Sequence, residues 1–342
     1  MPNPVLTRAI DALATGEDLE AYRAAEVLAE IMAGNASEVE IAGFLIALRT
    51  KGETVEELAG LARTMRSLAA RVDVGREDLL DTAGTGGGQT TFNVSTTAAL
   101  IAAGAGCVVA KHGNRSATSN SGSADLLEAL HVRIDLSPGA VGECIRDVGF
   151  GFMFAPAHHQ ATRFVVPVRR ELGVRTIFNF LGPLTNPAGA TRQLIGVSDP
   201  AYQETMAGAL ARLGAVKALV VSSRDGLDEM STSAPTEVVE VSQGNVQRYT
   251  VEPAEVGLEL SGGAVEGGTP EQNADTTRQI LAGQHGAPRD LAALNAGAAI
   301  YVAGRAENLE QGVRAAESAI DRGAARDTLE RLVRRTGELA DR

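Results

Sequence analysis

Three stretches of this sequence carry residue types suited to chemistry on phosphate. The first is Asp81-Thr-Ala-Gly-Thr-Gly-Gly-Gly-Gln-Thr-Thr-Phe-Asn-Val-Ser-Thr-Thr97, the densest glycine run in the chain. Glycine lets a backbone adopt conformations closed to other residues and approach a ligand closely. The free amides of the helix expected to follow, residues 97–104, favour an anion. The second stretch is Lys111-His-Gly-Asn-Arg-Ser-Ala-Thr-Ser-Asn-Ser-Gly-Ser123. Here Lys111 and Arg115 supply positive charge, and the hydroxyls and amides supply donors for oxyanions. The third is Arg224-Asp-Gly-Leu-Asp-Glu-Met-Ser231, whose adjacent carboxylates Asp228 and Glu229 suit Mg²⁺, a hard cation that takes carboxylate, water and phosphate oxygens. Singly, the three also read as a tight turn, a solvated loop and a pair of surface acids. The G-x-G-x-x-G dinucleotide spacing fails because position 89 is Gln, and no G-K-[ST] follows the glycines, so neither a dinucleotide fold nor a P-loop is expected.

The elements that must position these stretches follow from the hydrophobic pattern. The first seventy residues read as consecutive amphipathic helices, over 19–32, 38–50 and 55–71. Ser37 with Glu40 and Thr54 with Glu57 match the capping-box pattern. From about residue 78, short apolar runs alternate with helical stretches. Strands are expected at 79–82, 107–110, 150–154, 194–197 and 218–221, which predicts an α/β class with a central, mostly parallel sheet. Residues 237–241 and 246–251 read as a hairpin, and a helix is expected to start at Thr269-Pro270. Each of the three stretches then follows a strand, so the loops converge on one crevice at the end of the sheet where open α/β folds bind ligands. Residues 162–190 read as helical and then proline-interrupted, and are expected to leave the sheet and pack on the N-terminal helices.

The composition narrows the ligand class. The chain has 342 residues, 31 basic and 43 acidic, for a formal charge of −12, with 8 Phe, 4 Tyr and no Trp. Nucleic acid, which needs basic patches and stacking platforms, is not an expected partner. The length suits about two domains. Two cysteines, Cys107 and Cys144, without C-x-x-C spacing, predict a reducing, cytoplasmic setting. No leader or membrane span is expected from the N-terminus or from any long apolar run.

Several runs carry a family resemblance. They are Gly-Thr-Gly-Gly at 84–87, Asn-Val-Ser-Thr at 93–96, Lys-His-Gly-Asn-Arg-Ser at 111–116 and Gly-Ser-Ala-Asp-Leu-Leu at 122–127. To these add Pro-Val-Arg-Arg-Glu-Leu-Gly at 167–173, Arg-Thr-Ile-Phe-Asn at 175–179, Leu-Gly-Pro-Leu-Thr-Asn-Pro at 181–187 and Gly-Leu-Asp-Glu at 226–229. In that order they closely resemble anthranilate phosphoribosyltransferase, and the resemblance covers nearly the whole chain. It implies a small all-helical domain beside a larger α/β domain of the kind shared with nucleoside phosphorylases. The expected boundaries are 1–72, with 165–190 returning to it, against 73–164 and 191–342. It also implies a homodimer joined through the helical domains.

The same resemblance implies the reaction and its residues. The family moves the 5-phosphoribosyl group of phosphoribosyl pyrophosphate onto the amine of anthranilate in tryptophan biosynthesis, releasing pyrophosphate, with Mg²⁺. Gly84, Gly87, Gly88, Thr91, Asn93, Ser95, Thr96, Lys111, Ser119 and Ser123 match positions that hold phosphoribosyl pyrophosphate. Ser95, Asp228 and Glu229 match the Mg²⁺ positions. Gly84, Asn114 and Arg169 match the anthranilate positions, with His112, His159 and Pro183 nearby. Lys111, His112 and Arg169 are the expected catalytic set: Lys111 stabilises negative charge on the leaving group, His112 accepts a proton from the amine, and the planar fork of Arg169 holds a carboxylate. A pyrimidine nucleoside phosphorylase is the rival reading, and it lacks the Lys-His-Gly-Asn-Arg-Ser run. A non-catalytic nucleic-acid-binding relative would need a basic surface.

The chain departs from the family pattern in two places. The family usually reads Gly-Thr-Gly-Gly-Asp-Gly, whereas here Gly88 and Gln89 stand in the last two positions and the loop is one residue shorter. An altered Mg²⁺ dependence is expected from the missing carboxylate. At 159–163 the chain reads His-Gln-Ala-Thr-Arg where the family more often has His-Pro-Ala-Met before a basic residue, which bears on the anthranilate entrance.

Overall fold

The computed structural model describes residues 1–116, 120–260 and 265–341. Seven strands form one sheet in the order β3-β2-β1-β4-β5-β6-β7: β1 Leu79–Gly84, β2 Val108–Gly113, β3 Phe150–Phe154, β4 Arg192–Gly196, β5 Lys217–Ser223, β6 Thr236–Ser242 and β7 Asn245–Val251. The first five are mutually parallel, and β6 and β7 add an antiparallel edge. The β6–β7 turn places both Gln243 and Gly244 at positive φ, the geometry that suits a two-residue hairpin. From β1 the chain steps outward to β2 and β3, then crosses back to β4 on the other side of β1. The switch point therefore lies between β1 and β4, and the crevice expected from the topology opens at their C-terminal ends.

Side-chain alternation along the strands divides the interior in two. Leu194, Leu219, Val221 and Val238 join the core formed with the helices Val94–Gly104, Ala287–Val302 and Ala324–Ala340. Ile195, Val197, Val220 and Val239 face the other way, into a core shared with the N-terminal helices Pro4–Ala14, Ala21–Met32, Glu38–Lys51 and Val55–Leu68. Residues of the returning segment, Val165, Val168, Ile177, Phe180 and Leu184, belong to that second core. The capping boxes at Ser37/Glu40 and Thr54/Glu57 are both formed.

Several elements differ from the sequence expectation in length. The helix expected over 55–71 stops at Leu68 because Ala69 is extended (ψ 143°). The helix after the glycine loop starts at Val94 rather than 97, with Asn93 in the left-handed region (φ 62°, ψ 50°) at its cap. β2 runs three residues beyond the expected end at 110, so Lys111, His112 and Gly113 are strand residues paired with Phe152, Met153 and Phe154.

Candidate active site

The glycine loop spans the gap from the end of β1 to the helix Val94–Gly104. Gly86 and Gly87 adopt φ of 66° and 85°, which a side chain would strain. Asn93 closes the loop. Its amide donates to the Ser121 carbonyl (2.9 Å), and its Oδ1 accepts from Ser121 Oγ (2.8 Å) and Asn273 Nδ2 (2.9 Å). Asn93 therefore joins the first stretch, the second stretch and the helix Pro270–Leu281, so its side chain is committed to holding the loop. Gly267 donates to the Thr90 carbonyl (3.1 Å), and a β-carbon on it would overlap the Thr91 carbonyl oxygen. The loop is thus fastened from both sides.

A cavity of 290 Å³ opens on this loop, lined by Gly87, Gly88, Gln89, Thr90, Thr91, Asn93, Ser95, Ser121, Asp228 and Glu229. The three expected metal residues, Ser95, Asp228 and Glu229, share this one cavity although the acidic pair lies far from Ser95 in sequence. Close packing explains the convergence. A β-carbon on Gly84 would stand 2.9 Å from Asp228 Oδ2, and one on Gly196 would overlap the Asp228 carbonyl oxygen. Glycine at both strand ends admits the acidic loop to the switch point.

The electrostatics of the pair fit a cation. Burial raises the Asp228 carboxyl above its ordinary range, against the hydrogen bond from Glu229. Burial and the neighbouring Asp228 charge raise Glu229 well above its range. Glu229 Oε2 is buried without a hydrogen-bond partner. An unsatisfied carboxylate oxygen beside a second carboxylate is what a bound divalent cation would satisfy, with remaining positions filled by phosphate oxygens and water.

Lys111 and His112, adjacent in sequence, point to opposite faces of the sheet. Lys111 is buried, and its Nζ donates to the Thr82 carbonyl (2.5 Å), Thr82 Oγ1 (3.2 Å) and Ser95 Oγ (3.4 Å). Burial pushes its ammonium down to about 8, against the pull of Asp81 and Glu229. The charge thus sits beneath Ser95, behind the cavity wall. His112 turns toward the second core, its Nδ1 3.2 Å from the Gly182 carbonyl and its ring 5.1 Å from that of His159. Burial, with His159 beside it, pushes His112 down to about 3, and burial pushes His159 down to about 4. Both Nε2 atoms are buried and unpartnered. A ring held so far below neutrality is a poor proton acceptor, which does not favour the general-base role expected from the sequence. His158 instead hydrogen-bonds through Nδ1 with the Ala70 carbonyl (2.8 Å), a structural contact.

Arg169 lies on the short helix Val166–Leu172. Its Nη2 donates weakly to Asn179 Oδ1 (3.3 Å), its guanidinium lies over the Phe178 ring, and its Nε is buried with no partner. Burial lowers its pKa. A half-buried guanidinium with so little compensation is poised for a carboxylate.

The remaining sequence candidates fall as follows. Asn114 is exposed, with its Oδ1 accepting from Arg115 N, and Ser123 Oγ donates to the Asn114 carbonyl. Thr96 is fully buried with Oγ1 unpartnered. Ser119 lies outside the described residues. Arg115, read as a free positive charge, is bound to Asp125 and Glu128 and offers none. The position of the missing aspartate is tight: a β-carbon on Gly88 would stand 2.8 Å from Asp228 Oδ1, which that side chain must yield, and 3.1 Å from Asp228 N. The short loop has brought its backbone onto the acidic pair.

Three further residues hold these elements together. Asp81, fully buried, accepts from Asn186 Nδ2 (2.7 Å) and His112 N (3.1 Å), and so anchors the Thr-Asn-Pro segment to β1 and β2. Arg175 and Ser198 form a contact at the glycine loop: Arg175 Nη1 donates to Ser198 Oγ (2.8 Å), and Ser198 Oγ donates to the Gly86 carbonyl (3.0 Å).

With this geometry in view, the chain was compared with known proteins. Residues 76–326 match the α/β domain of a glycosyl transferase family, and residues 7–69 match the helical bundle domain of a glycosyl transferase family. An anthranilate phosphoribosyltransferase of Rubrobacter xylanophilus is 52% identical over 341 residues, covering 99% of each chain. One from Symbiobacterium thermophilum is 51% identical over 322 residues, covering 94% of each. Among solved structures, the anthranilate phosphoribosyltransferase of Thermus thermophilus superposes with a TM-score of 0.91 at 48% identity, over 96% of this chain and 99% of that one. The Saccharomyces cerevisiae enzyme in complex with phosphoribosyl pyrophosphate and Mg superposes with a TM-score of 0.88 at 28% identity, over 98% of both.

Proposed function

Starting from a chain that belongs to the anthranilate phosphoribosyltransferase family, we propose which of its residues carry out that family's reaction. The reaction transfers the 5-phosphoribosyl group of phosphoribosyl pyrophosphate to the anthranilate amine, in tryptophan biosynthesis, and uses Mg²⁺. The observation that carries the assignment is the single cavity shared by the glycine loop, Ser95 and the Asp228/Glu229 pair.

In this reading the amides of Gly87 and Gly88, with Thr91 and Ser95, bind the diphosphate end of the donor, while Thr96 is buried behind them. Breaking the C1–O bond builds positive charge on the ribose ring and negative charge on the departing diphosphate. Mg²⁺, held by Ser95, Asp228 and Glu229, neutralises that developing negative charge when bound. Lys111, fixed beneath Ser95 by Thr82, adds a positive field that needs no reorganisation as the bond breaks. No covalent intermediate on the protein is required, and catalysis is positioning plus electrostatics.

Arg169 takes the acceptor's carboxylate and aims its amine at the ribose. The N-substituted anilinium formed by attack is a strong acid and sheds its proton to water, so a histidine at about 3 is no handicap. Calorimetric titration with pyrophosphate tests the assignment of the donor site. Binding should require Mg²⁺ in the intact protein and vanish in Asp228→Asn/Glu229→Gln; Mg²⁺-independent binding retained by that variant overturns it.

The packing of Val165, Val168, Ile177, Phe180 and Leu184 with the N-terminal helices supports grouping 165–190 with 1–72, beside 73–164 and 191–342, with one face of the sheet entering the same core. Val39 and Ile46, two turns apart and exposed on one face of the helix Glu38–Lys51, support a homodimer through the helical domain. Among the described residues no helix is long and apolar enough to cross a membrane. The two buried free thiols support a cytoplasmic setting.

A further inference from the structure

The two halves of the candidate site are physically joined. Asn179 Oδ1 accepts from Arg169 Nη2 (3.3 Å) and from the backbone N–H of Thr176 (3.0 Å). Thr176 is the neighbour of Arg175, whose Nη1 donates to Ser198 Oγ (2.8 Å), and Ser198 Oγ donates to the Gly86 carbonyl (3.0 Å). Ser198 N in turn donates to Thr85 Oγ1 (3.3 Å). The Arg175 guanidinium rests against the loop so closely that a β-carbon on Gly87 would meet it at 2.5 Å. From the other side, Arg49 of the helix Glu38–Lys51 donates to the Arg175 carbonyl (2.9 Å). Arg175 Nη2 is buried with no partner. The half-buried guanidinium lies over the Phe180 ring with one nitrogen unsatisfied, and it touches the loop assigned to the diphosphate.

We propose that Arg175 and Ser198 are positioning residues that couple the acceptor site at Arg169 to the diphosphate-binding loop at Gly86–Gly87, so that each substrate's binding raises affinity for the other. This inference rests on the assignment of those two sites above. The connection runs through the Asn179 amide, the 175–176 peptide, the Arg175 side chain and the Ser198 hydroxyl. A diphosphate that orders Gly86 fixes Ser198 and Arg175, and through Thr176 and Asn179 fixes the guanidinium that takes the carboxylate. Such coupling is reciprocal by thermodynamic necessity.

The experiment is a fluorescence titration of anthranilate with and without saturating Mg²⁺-pyrophosphate, in the full-length protein and in Ser198→Ala, Arg175→Ala and the double variant. In the intact protein pyrophosphate should tighten anthranilate by at least ~5-fold, the lower end of typical coupling. The reverse titration should give the same factor. Each variant, and the double variant no more than either single one, should bring the factor near one while still binding Mg²⁺-pyrophosphate, which controls for folding. Arg175→Lys, which keeps the charge but not the fork, should restore only part of the coupling. No coupling in the intact protein, or coupling unchanged in Ser198→Ala and Arg175→Ala, overturns the inference. Arg169→Ala separates the two readings. If it leaves anthranilate affinity untouched, the acceptor assignment itself fails; if it weakens affinity while the variants stay coupled, only this inference fails.

Discussion

A β-carbon on Gly196 would overlap the carbonyl oxygen of Asp228, so the acidic loop occupies space that only glycine leaves free at the end of β4. The adjacent strand end at Gly84, paired with Gly196, makes the same concession to the Asp228 carboxylate. The position of the candidate metal ligands therefore depends on two residues that carry no functional group.

Gly196→Ala should push the acidic loop out of register. Overpacking of this kind costs about 1–3 kcal/mol. The measurement is the Mg²⁺ concentration for half-maximal rate, expected to rise ~10-fold with the fold retained by circular dichroism, as a loss of that size in the site's geometry implies. An unchanged Mg²⁺ requirement would show that the loop is not held by this contact.

Glu229→Gln should stabilise the metal-free protein while abolishing its response to Mg²⁺. The folded-state pKa of Glu229 is raised, so the native state binds the proton more tightly than the unfolded chain does. The associated stability is fully present below the ordinary value of 4.5 and is lost as pH climbs through the raised value. Ionising Glu229 beside Asp228 is unfavourable in the metal-free protein, and the amide removes that cost. Melting should show a higher Tm for Glu229→Gln without metal near neutral pH, and an Mg²⁺-induced increase in the parent that the variant lacks. Protons compete with the metal for the pair, so the parent's Mg²⁺ affinity should strengthen with rising pH. A variant less stable than its metal-free parent would contradict the electrostatic reading.

Arg169→Ala should raise the KM for anthranilate far more than that for phosphoribosyl pyrophosphate. Losing hydrogen bonds to a charged carboxylate costs about 1.5–3 kcal/mol, on the order of 10- to 150-fold. Arg169→Lys should recover little, because a point charge does not reproduce the fork. Comparable effects on both substrates would point to a general structural role instead.

Gly88→Asp restores the family's aspartate but meets Asp228 Oδ1 and the Asp228 amide within 3.1 Å. The Asp228 side chain must yield to admit it, and the added carboxylate joins an already crowded acidic pair. The expected outcome is a changed Mg²⁺ dependence of rate and of the KM for phosphoribosyl pyrophosphate. If titration with Mg²⁺ gives the parent's curve, the short loop has no bearing on the metal.

The parts of the site legible in the sequence are those that follow strands. Ser95, Asp228 and Glu229 sit after apolar runs whose order implies a common edge, and the structure brings them to one cavity. Less visible are features settled by partners far along the chain or by strand parity. Arg115 reads as a free cation because Asp125 and Glu128, which neutralise it, become neighbours only once their helix forms. Lys111 and His112 read as a pair when β2 is expected to end at 110. With the strand continuing, alternation sends one toward Ser95 and the other toward Gly182. Asn93 matches a ligand position, yet its side chain joins Ser121 and Asn273, 28 and 180 positions away. Arg175 lies in plain sight in the Arg-Thr-Ile-Phe-Asn run, but its contact with Ser198 has no local signature. The fold class and strand positions are the most readable, since hydrophobic periodicity is a local property.

A phosphoribosyl transfer site built from the glycine loop, the acidic pair and Arg169, as proposed, must consume anthranilate. Loss of anthranilate fluorescence on incubation with phosphoribosyl pyrophosphate tests it most directly. The intact protein should consume anthranilate only when both phosphoribosyl pyrophosphate and Mg²⁺ are present, while Arg169→Ala and Asp228→Ala/Glu229→Ala should be severely impaired. Absence of consumption by the intact, folded protein, or full activity in the doubly substituted acidic pair, would rule this site out.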